Sequence, residues 1–254
     1  MELQAFFAFC FLSSAVYVFN DLLDVEQDKL HPRKKTRALP AGRVTKQQAI
    51  MLGLVCLLVS AALTWQVNST PFMYALMTYL GINIAYVLKI KHVAIADCFS
   101  IATGFVIRVL AGCYAINVLP SDWIVVVTFF LALFLAFGKR KSELLLLSQN
   151  AGEHRPALNG YNLNTLNVYI YISAAISLTA YLMYTLTSTS LPEKFHQPLK
   201  YSAFFVVFGF YRYIQLLDAK SSTDADPTVL LYKDKMLQFT LVLWVIYAVF
   251  VIYG

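Results

Sequence analysis

The chain has 254 residues, of which 59% are hydrophobic and only 13% are charged. Soluble domains carry roughly 25% charged residues, so half that fraction, together with apolar runs of helix length, excludes an ordinary water-soluble domain and predicts a membrane-embedded helix bundle. The net charge of +6 does not indicate nucleic-acid binding, because the cations do not form one continuous basic stripe.

Eight apolar stretches are long enough to cross a hydrocarbon core of ~30 Å, which needs about 20 helical residues. Helices are favoured over strands because every backbone group in lipid must be paired within its own segment. The predicted spans are residues 1–23, 46–66, 71–89, 94–117, 121–147, 165–188, 200–217 and 236–253. We therefore expect a single all-α, polytopic membrane domain over residues 1–254.

The Lys and Arg residues are unevenly distributed between alternate loops. Seventeen of the 20 fall in loops 24–46, 89–93, 139–163 and 212–235, which lie on one side if each stretch crosses the membrane. The positive-inside rule places this side in the cytoplasm and both termini outside. The first helix lacks a basic n-region and a cleavage site, so we expect it to be retained.

An acidic motif lies where the first predicted helix reaches the basic side. Four oxygen-bearing side chains fall within one helical arc of about 100°: Asn20, Asp21, Asp24 and Asp28. Carboxylates packed together near a low-dielectric boundary repel each other unless a cation lies among them. Oxygen ligands favour Mg²⁺, which combines one or two carboxylates with substrate phosphates. The motif predicts a magnesium site; the alternative, an acidic solvated helix end, does not require the acids to share one face.

A basic loop follows the acidic motif. Five cations lie within a short segment: Arg33, Lys34, Lys35, Arg37 and Arg43. They are interpreted either as charges that set membrane topology or as a loop that closes over an anion held by the metal. Two prolines and Gly42 favour a shaped loop over a disordered tail.

The fifth predicted helix ends in a basic counterpart of the acidic motif. Lys139, Arg140 and Glu143 have the same offsets as the first three acidic-motif residues and also fit one helical arc. This repetition suggests an internal duplication. We expect two pseudo-symmetric halves, residues 1–118 and 119–254, around a central cleft, with Glu143 orienting Arg140.

Arg108 lies inside a predicted span, where an ionisable residue is by default a candidate functional residue. Its expected partner is Asp97, on the same helix face, or a substrate phosphate; a buried ion pair without a chemical role is the alternative. Tyr86, Lys89 and Lys91 lie at the cytoplasmic end of the third helix, where snorkelling also explains the lysines.

Together these motifs resemble the UbiA-type superfamily of intramembrane prenyltransferases, marked by N-D-x-x-D-x-x-x-D, and within it the decaprenyl-phosphate phosphoribosyltransferase branch. The branch motif H-P-x-K-R-x-R-P-x-A-A-G matches residues 31–42, apart from Lys35, Ala38 and Pro40. Further elements match at 104–112 (G-F-x-x-R-x-x-A-G), 138–144 (G-K-R-x-x-E-L) and 154–156 (H-R-P). The family has nine helices, the first introduced by a basic Trp-containing motif; we expect eight here, with that first helix missing.

The resemblance implies Mg²⁺-dependent transfer of a 5-phosphoribosyl group from phosphoribosyl diphosphate to a polyprenyl (decaprenyl) phosphate, releasing pyrophosphate. It implies a bacterial plasma-membrane enzyme of cell-envelope lipid synthesis, with its active site facing the cytoplasm and a possible homo-oligomeric state. The metal ligands would be Asn20, Asp21, Asp24 and Asp28, and the catalytic residues Asp21, Asp24, Arg37 and Arg140. The substrate contacts would be Lys34, Lys35, Arg37, Tyr86, Lys89, Lys91, Asp97, Arg108, Lys139, Arg140, Glu143 and Arg155.

Two other functions remain open. An aromatic prenyltransferase using a polyprenyl diphosphate would usually carry a second Asp-rich motif in its second half, where this chain has Lys139 and Arg140. A transporter would tend to show helices broken at mid-membrane, whereas the acids here lie at a helix end. Metal-dependent formation of a lipid product would separate an enzyme from a transporter.

Overall fold

The computed structural model describes residues 2–30, 34–147, 156–187, 192–219 and 227–253. These ranges are helical apart from short turns, which confirms the all-α prediction. The helices are α1 (Glu2–Leu23), α2 (Val25–Leu30), α3 (Lys46–Val67), α4 (Thr70–Leu88), α5 (Ala96–Ala115), α6 (Asp122–Leu147), α7 (Leu163–Thr187), α8 (Glu193–Leu199), α9 (Ala203–Asp218), α10 (Pro227–Lys233) and α11 (Lys235–Tyr253).

Among the described residues, seven helices are long and apolar enough to cross a membrane: α1, α3, α4, α5, α6, α7 and α11. The protein is therefore a multi-pass membrane protein. The remaining predicted span, 200–217, corresponds to α9, which has only 16 residues. Pro198 lies inside the preceding helix α8, and a 3₁₀ turn over Lys200–Ser202 separates α8 from α9.

The chain forms two compact units. Of the described residues, the first unit comprises those within 2–93 and 107–119, and the second comprises those within 94–106, 120–147 and 156–253. The boundary between these units passes through α5, and the predicted division into halves at residue 118 stays a prediction. The pseudo-symmetry of two halves stays a prediction.

In the first unit, α1 packs along α3, and two small residues of α3 allow the close approach. The Ser60 hydroxyl donates to the Ala8 carbonyl at 2.8 Å. A Cβ added at Gly53 would lie 2.8 Å from Cζ of Phe19, so a larger residue there would displace the Phe19 ring; small residues are common between membrane helices. Because Phe19 precedes Asn20, the contact fixes the end of α1 that carries the acidic motif.

In the second unit, α6 packs along α7 around an apolar core that includes Leu133, Leu166 and Ile170. The ring of Phe134 contacts that of Phe210 on α9, with centroids 4.5 Å apart. These contacts hold the end of α6 that carries the basic motif.

Candidate functional site

The acidic motif lies on both sides of a bend. Helix α1 ends at Leu23, and α2 begins at Val25. The Asp24 N–H donates to the Asn20 carbonyl at 3.0 Å, and the Asp28 N–H donates to the Asp24 carbonyl at 2.8 Å. The hydrogen-bond pattern of an α-helix thus continues through the bend.

Arg37 lies between two of the acids. Its Nη1 donates to Oδ1 of Asp21 at 2.9 Å and to Oδ2 of Asp28 at 3.1 Å. Lys34 Nζ is 3.5 Å from the other carboxylate oxygen of Asp28. Asp28 is only 3% exposed. The basic loop thus folds back onto the acidic motif. Its cations compensate the charge of the buried Asp28 carboxylate, which would otherwise be costly.

Hydrogen bonds within the basic loop give it a defined shape. Lys34–Thr36 form a 3₁₀ turn, and Arg43 donates through Nη2 to the Thr36 carbonyl at 2.7 Å. Gly42 has a φ of +72°, in the left-handed region that favours glycine. The loop ends at Thr45, whose side chain forms a capping box with Gln48 at the start of α3.

Lys91 brings a further cation to the motif. It lies in the 3₁₀ turn Ile90–His92 after α4, and its ammonium pairs with Asp24 Oδ1. Both side chains are mostly buried, with 13% and 20% of their surface exposed. Of the neighbouring predicted contacts, Tyr86 is partly buried and Lys89 is exposed at the end of α4.

Arg108, on α5, lies against α1 within the first unit. Its Nη2 is 3.5 Å from the Ser13 hydroxyl, and its guanidinium carbon lies 5.4 Å from the centre of the Phe9 ring, within cation–π range. The predicted pairing of Arg108 with Asp97 stays a prediction.

Arg140 lies in the interior of the second unit. The residue is 1% exposed; its Nε donates to Asp97 Oδ2 at 2.7 Å and its Nη1 donates to Glu143 Oε2 at 2.6 Å. Two carboxylates thus compensate one buried guanidinium. The contact between Glu143 and Arg140 is the one that their helical spacing predicts. Lys139, beside Arg140, is only partly buried.

Tyr161 completes this cluster, although no sequence motif marked it. Its hydroxyl donates to Asp97 Oδ1 at 2.8 Å and accepts the Ile95 N–H at 2.6 Å. Burial raises the pKa of Tyr161 far above its usual range, so the hydroxyl stays protonated and remains a donor to Asp97. Ile95 has a φ of +68°, an unfavourable conformation for a β-branched residue, and the Tyr161 hydroxyl helps to hold it.

The glycine before Tyr161 allows this approach. A Cβ added at Gly160 would lie 2.6 Å from Cβ of Ala94, closer than two such atoms can approach. Segments 94–97 and 160–161 are therefore in close contact, and this contact positions Asp97 at the start of α5.

The acidic motif is the predicted site of the magnesium ion. In the described parts of the chain, no three His, Cys, Asp or Glu side chains converge as metal ligands, and cations contact the carboxylates of this motif. The donor chemistry nevertheless fits a hard divalent cation. Asp21 and Asp28 are close enough to share one guanidinium nitrogen, and Asn20 Oδ1 is buried without a hydrogen-bond partner, a state that costs about 1–3 kcal/mol.

The remaining predicted residues are exposed or fall outside the described ranges. Lys35 is exposed on the basic loop. Arg155, and the loop residues 31–33, lie outside the residues that the structure describes.

Comparisons with known proteins identify relatives of this chain. The model of the UbiA prenyltransferase family matches residues 3–233. The chain is 27% identical to a decaprenyl-phosphate phosphoribosyltransferase of Mycolicibacterium smegmatis over 245 residues, covering 95% of this chain and 77% of that protein. It is also 27% identical to a decaprenyl-phosphate phosphoribosyltransferase of Corynebacterium glutamicum over 250 residues, covering 98% and 75%.

The fold is similar to that of a UbiA homolog from Archaeoglobus fulgidus, solved bound to DMAPP and Mg²⁺. The TM-score is 0.74 at 19% sequence identity, covering 99% of this chain and 87% of the homolog. Because the family model spans most of the sequence and the fold agrees along nearly the whole chain, the protein belongs to the UbiA prenyltransferase family.

Proposed function

We propose that this protein transfers a 5-phosphoribosyl group from phosphoribosyl diphosphate to a polyprenyl phosphate and releases pyrophosphate. The observation that carries the proposal is the sharing of Arg37 by Asp21 and Asp28 at the end of a membrane helix. A site that combines carboxylates with cations suits a ligand that is itself a metal ion bound to a polyanion. The near full-length similarity to two decaprenyl-phosphate phosphoribosyltransferases supports this donor and acceptor.

In this proposal Asn20, Asp21, Asp24 and Asp28 would hold Mg²⁺, which when bound supplies Lewis-acid stabilisation of the leaving pyrophosphate. Arg37 and Lys91 offset the remaining negative charge of the diphosphate. The C1–O bond to pyrophosphate breaks as a bond forms between C1 and an oxygen of the lipid phosphate. Because that phosphate is already an oxyanion, the site needs no general base, and positioning supplies much of the rate.

The acceptor also fits the place of the acidic motif. A polyprenyl phosphate keeps its charged group at the membrane surface and its chain among the lipids, and the motif follows a membrane helix, α1. The distribution of Lys and Arg supports a cytoplasmic location of this face, where phosphoribosyl diphosphate would be available, in a bacterial plasma membrane.

Lys139 and Arg140, in the basic motif of the second unit, have separate roles in this proposal. Phosphoribosyl diphosphate carries a 5-phosphate that needs its own cations, and a Lys-Arg pair suits it better than a second acidic motif would. Because Arg140 is buried between Asp97 and Glu143, we propose it as a positioning residue and assign the phosphate contact to Lys139.

The proposal is tested with the purified full chain, labelled phosphoribosyl diphosphate, decaprenyl phosphate and Mg²⁺. We expect label in the lipid fraction, lost when EDTA removes the metal and lost in Asp21→Asn. Glu26→Gln serves as the matched control, because Glu26 belongs to the same segment but pairs with exposed Lys29. Activity of Asp21→Asn equal to wild type would remove the acidic motif from the site.

A prenyl diphosphate donor is the second candidate, favoured by the similarity of the fold to a homolog solved with DMAPP. A parallel assay offers a prenyl diphosphate and an aromatic acid. If the protein joins these and ignores phosphoribosyl diphosphate, the phosphoribosyl assignment is wrong.

A further inference from the structure

Two cations contact all three carboxylates of the acidic motif. Arg37 contacts Asp21 and Asp28 through one nitrogen, and Lys91 contacts Asp24. Asp28 and Lys91 are largely buried, so these charges depend on one another more than surface charges do. The motif is thus an arrangement of opposite charges that already compensate one another.

A divalent metal ion binding alone would have to compete with both cations. Mg²⁺ requires oxygen ligands at about 2.0–2.1 Å, and one oxygen of each carboxylate of the motif already contacts Arg37 or Lys91. The positive charges also repel the incoming metal. If the metal displaced them, the largely buried Lys91 ammonium would lose its partner, which is costly, and the half-exposed Arg37 guanidinium would exchange two carboxylates for water.

A diphosphate that arrives with the metal removes this cost. Its oxygens offer new acceptors to the displaced side chains, and a guanidinium binds phosphate oxygens as well as it binds carboxylates. Lys34, which also faces Asp28, could follow the same exchange.

We propose that Arg37 and Lys91 act as internal counter-ions that exchange carboxylates for diphosphate oxygens, so that the site binds metal and diphosphate together and the metal alone only weakly. The inference rests on the proposed function, because it assumes a metal–diphosphate ligand. Its consequence is positive coupling: each ligand raises the affinity for the other by the same factor.

The test measures binding, not turnover, on the full chain in detergent. Mn²⁺ binding is followed by electron paramagnetic resonance without and with inorganic pyrophosphate, for wild type and Arg37→Gln. We expect Arg37→Gln to bind Mn²⁺ alone more tightly, about fivefold or more, and to bind pyrophosphate in the presence of Mn²⁺ about tenfold more weakly, within the usual range of coupling between two ligands.

Lys29→Gln is the matched control. It removes one positive charge from the segment of the acidic motif, but Lys29 pairs with exposed Glu26, so both affinities should stay within about twofold of wild type. Lys91→Gln removes the cation that pairs with Asp24. It should also tighten the binding of Mn²⁺ alone and weaken the binding of pyrophosphate, so that the result does not depend on the folding of a single variant.

Tighter binding of Mn²⁺ alone, together with weaker binding of pyrophosphate, would support the inference. If Arg37→Gln and Lys91→Gln bind Mn²⁺ alone no more tightly than wild type while wild type transfers phosphoribosyl, the counter-ion inference is wrong and the proposed function stands. If wild type binds neither Mn²⁺ nor pyrophosphate, both are wrong.

Discussion

Lys91 pairs with Asp24 across 67 positions of the sequence, which joins the turn after α4 to the acidic motif at the end of α1. The pair connects two helices of the first unit at the same end and does so with largely buried charges. It therefore contributes to the shape of the acidic motif.

The first prediction concerns the energy of this pair. In a double-mutant cycle with Asp24→Asn and Lys91→Gln, thermal unfolding in detergent should give a coupling free energy of about 0.5–3 kcal/mol. The exposed pair Glu26–Lys29, treated in the same way, should give no more than about 0.5 kcal/mol. Equal coupling energies for both pairs would contradict the structural role of Lys91.

The second prediction concerns Gly53. Gly53→Ala places a methyl group against Phe19, so we expect the free energy of unfolding to fall by about 1–3 kcal/mol, as for an overpacked interface. Activity should fall as well, because Phe19 adjoins Asn20. Gly81→Ala is the control: it lies in α4, and a Cβ there meets nothing within 4 Å. Because alanine favours a helix more than glycine does, Gly81→Ala should leave the free energy of unfolding unchanged or raise it by up to about 1 kcal/mol.

The third prediction concerns Tyr161. Tyr161→Phe keeps the ring against Phe137 but removes the hydroxyl that serves both Ile95 and Asp97. The loss should cost about 1–3 kcal/mol of unfolding free energy, because buried groups lose their partner. Tyr169→Phe, whose ring also packs on Phe137, is the matched control. A similar small effect in both variants would mean that the hydroxyl of Tyr161 has no special part in the cluster.

The fourth prediction separates Lys139 from Arg140. Arg140→Ala leaves Asp97 and Glu143 without their buried cation and should cost about 3–5 kcal/mol of stability, with partial recovery in Arg140→Lys. Lys139→Ala should leave the melting temperature nearly unchanged and raise KM for phosphoribosyl diphosphate more than KM for the lipid phosphate. The reverse pattern, with stability lost at residue 139, would exchange the two roles.

The fifth prediction concerns acid stability. Hydrogen bonds from Arg212 lower the pKa of Asp234 below its usual value, and Asp234 also accepts the Leu237 N–H at the start of α11. Because the folded-state pKa is the lower one, the stabilisation is present above the unfolded value of about 3.9 and is lost as pH falls through the folded value. Wild type should therefore melt at progressively lower temperature below about pH 4, and Asp234→Asn should lose this part of the pH dependence. An identical acid profile in both proteins would exclude the pair as a cause.

The sequence predicted the helices and the acidic motif because both depend on local patterns. Apolar length locates α1, and helical spacing places Asp21 and Asp28 where one arginine reaches both. The burial of Arg140 was not predictable in this way, because it depends on Asp97 from another helix. Tyr161 carried no signal, since its role arises from a tertiary contact made possible by Gly160. Apolar length alone did not predict that the helix of the 200–217 stretch begins only at Ala203, after a 3₁₀ turn.

Helix α9 also has a consequence for the surrounding lipid. Its 16 residues span only about 24 Å at 1.5 Å per residue, less than the ~30 Å of an average hydrocarbon core. A short apolar helix is accommodated by local thinning of the bilayer at a modest free-energy cost per ångström. Lipids beside α9 should therefore be compressed if this helix crosses the membrane, and shorter acyl chains would relieve that compression.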